Sequence, residues 1–71
     1  MEQRSVGQFH FADPITGSAI YAEVRVRAGT ITLVLSSRDD GDAEVALRPE
    51  DCLQLAHALR HAAANASTPP P

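Results

Sequence analysis

Apolar and polar residues alternate along two consecutive stretches of the chain. Residues 18–27 place Ile20, Ala22, Val24 and Val26 on one side and Tyr21, Glu23, Arg25 and Arg27 on the other. This period of two is that of a half-buried strand. Residues 30–37 continue it, with Ile31, Leu33 and Leu35 on one face and Thr30, Thr32, Val34 and Ser36 opposite. A two-residue loop at Ala28-Gly29 pairs Val26 with Ile31, Val24 with Leu33 and Ala22 with Leu35. Every apolar residue then meets an apolar partner, and a slip of one residue destroys the match.

The flanking segments extend the pattern. Asp13-Pro14-Ile15-Thr16-Gly17 reads as a turn: Asp opens it, Pro pre-sets φ, and Gly supplies a left-handed residue at its end. A four-residue loop there pairs Phe11 with Ile20 and Phe9 with Ala22 on the apolar face. It also pairs His10 with Tyr21 and Gln8 with Glu23 on the polar face. Val6 breaks the alternation, so the strand starts near Gln8 or bulges at Gly7. After Arg38-Asp39-Asp40-Gly41-Asp42, a short strand turns Ala43, Val45 and Leu47 inward, across a loop of three or five residues.

Pro49-Glu50-Asp51 then marks a helix start, with proline at the first helical position and two carboxylates near the positive end of the dipole. Arg48 is a poor cap by residue type. Cys52, Leu55, Ala56, Leu59 and Ala62 or Ala63 form one apolar stripe, and Arg60 and His61 lie toward the C-terminal end. The expected fold is α+β: a four-stranded antiparallel β-meander (about 8–12, 18–27, 30–37 and 43–47) with one C-terminal helix (about 49–64) packed on one face. Residues 1–65 form the single domain. Residues 66–71, Ala-Ser-Thr-Pro-Pro-Pro, read as a disordered tail.

Seventy-one residues allow one core. A chain this short buries only about 60% of its unfolded surface. Cys52 is the sole cysteine, so neither a disulfide nor a cysteine-based zinc site reinforces the fold. A helix whose C-terminal half is mostly alanine also covers a sheet thinly. Both features predict a homodimer, formed through a strand edge or the less covered part of the sheet; a thin monomeric core is the alternative.

Charge narrows the partners. The net charge is −3 and the pI about 5.4, which disfavours nucleic-acid and anionic-membrane binding. No apolar run approaches the roughly 20 residues of a membrane span, and the N-terminus lacks a signal-peptide layout. The expected location is cytoplasmic.

Candidate chemistry is sparse. His57 and His61 stand one helical turn apart, as two metal ligands would, but spacing alone leaves a site short of ligands, and the expected state is a solvated face without metal. Asp39, Asp40, Asp42 and Glu44 have the wrong acid–glycine order for a calcium loop. Tyr21, His10 and Glu23 adjoin without a cleft or a nucleophile, so no enzyme and no cofactor are expected. The remaining reading is a small interaction or regulatory module that binds itself, another protein, or both. Its working surface is expected on the outer sheet face, at Tyr21, Glu23, Arg25, Arg27, Thr32 and Val34. A weaker alternative is a metal or small-ligand binder at His57 and His61; the main rival is a nucleic-acid-associated regulator. It would use Arg4, Arg25 and Arg27 as an anion contact, with Arg4 opposite Arg27 and Arg38 as an addition.

Overall fold

The computed structural model describes residues 3–67. Four strands, β1 (Arg4–Ala12), β2 (Ala19–Arg27), β3 (Thr30–Ser37) and β4 (Gly41–Leu47), precede one helix, α1 (Pro49–Ser67). The strands form a single antiparallel sheet in the order β1-β2-β3-β4. This is the meander that the alternation predicts.

The registers follow the apolar pattern. Val26 pairs with Ile31, Val24 with Leu33 and Ala22 with Leu35. Phe11 pairs with Ile20 and Phe9 with Ala22. Between β3 and β4, Ser37 pairs with Gly41, which leaves a three-residue loop and sets Leu35, Leu33 and Ile31 against Ala43, Val45 and Leu47. Gly41, at φ 80°, is the left-handed residue that follows this loop and opens β4, a conformation glycine adopts without a Cβ penalty.

The β2–β3 turn has positive φ at both central residues, 49° at Ala28 and 81° at Gly29. That is the geometry of a type I′ turn, whose twist matches that of the flanking strands. Alanine is the wrong residue for it, because its Cβ crowds the backbone in the left-handed region. Ala28→Asn is therefore expected to stabilise the chain by about 0.5–1 kcal/mol, read as a higher urea midpoint with unchanged slope.

Three boundaries differ from expectation by more than one residue, the smallest difference being β4, which begins at Gly41 instead of Ala43. Strand β1 begins at Arg4, four residues before Gln8, because a bulge between Ser5 and Gly7 absorbs Val6 and lets pairing continue. Helix α1 continues past Ala64 and Asn65 to Ser67, whose hydroxyl donates to the Ala63 carbonyl at 2.9 Å. Ala66 and Ser67 are thus helical, and the rest of the proposed tail lies outside the described residues. The longer helix also leaves Arg60 and His61 more than a turn from its end, and its last turn carries no basic residue.

The helix start is better closed than Arg48 suggests. Asp51 reaches back to accept from the Arg48 backbone N–H at 3.1 Å and from its guanidinium Nε at 3.2 Å. The Asp51 and Cys52 N–H groups donate to the Arg48 carbonyl at 3.0 and 3.2 Å. Asp51 thereby supplies the returning half of a capping box. The Arg48 side chain and backbone hold its carboxyl below the usual aspartate value.

Packing departs most from expectation. The helix sits over Val24, Ile31, Leu33 and Leu47, which line a cleft of about 200 Å³ together with Cys52, Leu55, Ala56 and Leu59. No helical residue is buried. Among the described residues only Ala22 and Glu23 are buried, and no large side chain is fully enclosed. Phe9 and Phe11, expected in the core, remain 55% and 52% exposed. The radius of gyration is 14.3 Å, against about 11 Å for a compact chain of this length. One helix cannot cover four strands, and this one covers only part of the face.

Candidate functional site

The outer face of the sheet is built from rows that the registers dictate. Side chains paired across strands share a face. His10, Tyr21, Ser36 and Asp42 therefore form one row, and Gln8, Glu23, Val34 and Glu44 the next. Ser5, Arg25, Thr32 and Ala46 form the third, and Arg27 stands beside Thr30 at the end. The six expected surface residues Tyr21, Glu23, Arg25, Arg27, Thr32 and Val34 accordingly lie together on one face.

Glu23 is the centre of this arrangement. It belongs to β2, an inner strand, so β1 and β3 wall it in, and it is only 6% exposed. Arg25 lies two residues on and folds back along the strand. Its Nη2 and Nε lie 2.6 and 2.8 Å from Glu23 Oε1. Gln8 Nε2 donates to Oε2 at 3.3 Å, and the Ser5 hydroxyl adds to the same carboxylate. These donors, the Arg25 guanidinium first, lower the Glu23 pKa from 4.5 to about 2 against the opposing effect of desolvation. Desolvation and the Glu23 charge together raise the Tyr21 phenol above its ordinary value.

The remaining rows are simpler. The His10 and Tyr21 rings lie 5.0 Å apart at 47°, a tilted contact. The Ser36 hydroxyl donates to Asp42 at 2.5 Å. Val34 and Thr32, both half-buried, give the face a less polar centre between Glu23 and Arg25 on one side and Glu44 and Ala46 on the other.

The proposed anion contact does not assemble. The bulge at Ser5–Gly7 moves Arg4 opposite Val26 instead of Arg27, and so onto the apolar face. Arg25 is occupied by Glu23, which leaves Arg27 without either companion. Among the described residues no three His, Cys, Asp or Glu side chains converge as metal ligands would. No described helix is long and apolar enough to cross a membrane.

Sequence reading missed two features. The burial of Glu23 has a signal, Glu-x-Arg on the second strand with Gln8 and Ser5 at facing positions, but only the complete sheet makes it a closed network. The other is on the apolar face, where Phe11, Ile20 and Leu35 floor a groove of about 460 Å³. Asp13, Asp40 and Asp42 rim it, because both the β1–β2 and β3–β4 turns lie at that end. The Ser18 hydroxyl donates to Asp39 and ties the two turns together.

No family model, curated protein or solved structure matches this chain.

Proposed function

We propose that this protein is a small, non-enzymatic interaction or regulatory module that acts as a homodimer. The observation that carries this reading is the open apolar face of the sheet. Phe9, Phe11, Leu35 and Val45 on that face, with Leu55 and Leu59 on the helix, are all exposed in a single chain. A folded chain of 71 residues with no enclosed core among its described residues lacks its main source of stability. Covering this face supplies it.

The opposite face then remains for a second protein. It offers a half-buried centre at Val34 and Thr32 and a fixed charge pair at Glu23–Arg25, bordered by Tyr21 and Arg27. Rigid, already-paired charges favour recognition of a protein surface, since little side-chain entropy remains to be lost on contact. The dispersal of Arg4, Arg25 and Arg27 gives the nucleic-acid reading no comparable support.

Size-exclusion chromatography with light scattering, at micromolar concentration, is expected to return twice the 7.6 kDa chain mass. A monomer at all concentrations, with native-like circular dichroism, would remove the basis of the proposal. If the outer face binds another protein, Val34→Glu should abolish co-purification of that protein and leave the dimer intact.

A further inference from the structure

We infer that the second copy covers the acidic-rimmed groove with its helix, so that each protomer's α1 lies across the sheet of the other. The inference rests on the homodimeric reading and specifies the surface through which the dimer forms. Three independent observations point to the second copy as the occupant.

The first is area. The chain exposes 5844 Å², whereas a compact monomer of this mass exposes about 4,300 Å². Removing the excess from both copies buries about 3,000 Å² in total, within the range of about 2,000–5,000 Å² typical of obligate homodimers.

The second is shape. The groove carries the large side chain Phe11, exposed and without cover, and Phe9 is exposed next to it on the same face with its ring toward Gly7. The distal half of α1 carries Ala62, Ala63 and Ala66. Small side chains allow a helix to approach closely where the facing side chains are large, and the two surfaces fill one another. Leu59 lines the cleft over its own sheet yet stays 61% exposed in the single chain, so it is a large helical side chain with surface left to enter the groove beside Phe11, Ile20 and Leu35.

The third is charge. Each residue turns a helix by about 100°, which places Arg60 at the flank of the Cys52–Leu55–Ala56–Leu59 stripe and His57 and His61 on the far side. An arginine at that flank lays its aliphatic stem along the apolar surface and presents its guanidinium at the rim. The rim is acidic. Asp13 is engaged by the Ile15 and Thr16 N–H groups, at 2.8 and 3.3 Å, and Asp42 by Ser36. Asp40 takes part in no hydrogen bond or ion pair among the described residues and is the carboxylate available to Arg60.

A two-fold axis satisfies both copies at once. The helix starts beside Leu47, which pairs with Ile31 next to the β2–β3 turn, and the groove occupies the opposite end of the sheet. If α1 of one protomer reaches the groove of its partner, the same rotation returns the partner's helix to the first groove, as an isologous interface requires.

Charge reversal in separate chains tests this arrangement. Arg60→Glu and Asp40→Arg each place two like-charge contacts in a homodimer, and each is expected to weaken self-association about tenfold in sedimentation equilibrium at low salt. Mixing the two variants restores opposite charges at both contacts. The mixture should form a heterodimer with wild-type affinity, identified by its intermediate mass in native mass spectrometry. If mixing gives no recovery, the helix-in-groove geometry is overturned. Rescue only when both changes occur in one chain, with that chain monomeric, would mean that the helix closes on its own sheet, and it overturns the proposal. A dimer indifferent to both reversals overturns the geometry and leaves the homodimeric reading standing. A monomeric wild-type chain overturns both.

Discussion

Phe11→Asp is expected to weaken dimerisation by more than about a hundredfold while the free chain keeps its strands. Phe11 lies half-exposed in the groove at the end of the sheet far from its own helix. In the proposed dimer, burying the remaining ring surface against the second copy contributes about 1.5 kcal/mol per protomer, and a two-fold interface contains the contact twice. The loss of about 3 kcal/mol corresponds to roughly two orders of magnitude in Kd. Aspartate adds the cost of desolvating a carboxylate beside the acidic rim. Sedimentation equilibrium across a hundredfold range of concentration would show the shift, and Thr30→Asp on the outer face should leave the dimer unchanged. If Phe11→Asp dimerised like the wild type, the apolar face could not be the interface.

The second large effect concerns acid stability. Glu23 titrates at about 2 in the folded chain instead of at 4.5. A carboxyl with a lowered folded-state pKa binds its proton more readily when unfolded, so its contribution is complete above about pH 4.5. It declines as pH falls from there toward 2. Asp13 and Asp51, also lowered, contribute in the same direction. The wild type should therefore lose stability steeply across this window, read as a falling urea midpoint. Glu23→Gln removes the ionisable group, and its midpoint should fall less over the same window. It should also be the less stable protein at neutral pH, because Arg25 loses its counter-charge. Equal acid slopes for the two proteins would mean that the Glu23–Arg25 contact forms equally well with the carboxyl protonated.

The outer face owes its properties to the order of the strands. In a meander, β2 and β3 each have a neighbour on both sides, so a charged residue such as Glu23 is walled in by Gln8 and Val34 even though the face itself is open. Its charge persists because donors come from its own strand and from β1. Such a residue shapes the surface around it more than it contacts a partner directly. On the proposed reading, Arg27, Tyr21 and the half-buried Val34 are the groups that touch one.

The strand registers could be read from the sequence because they are local arithmetic. Alternation assigns each residue to a face, and the turn residues at Ala28-Gly29 and Asp13–Gly17 set the pairing between neighbours. Two steps lay beyond this reasoning. Val6 gives no indication of how a bulge will be absorbed, and that single residue decides whether Arg4 joins Arg27 or Val26. The alternation around Arg38–Asp42 is equally compatible with a three- or five-residue loop, and the structure takes the shorter one, with the left-handed Gly41 following it.

The sequence by itself determined the elements, their order, the β2–β3 register, the β1–β2 register from Gly7 to Ala12, and the apolar stripe of the helix. All of these depend on spacing and backbone preference within short stretches. Only the tertiary structure decided how much the helix covers, that Glu23 is buried by its neighbours, and that the acidic turns meet at the mouth of an apolar groove. Those outcomes depend on where distant segments come to rest. The stripe Cys52–Leu59 is the same apolar stripe whether it packs on its own sheet or on another, and periodicity carries no information about which.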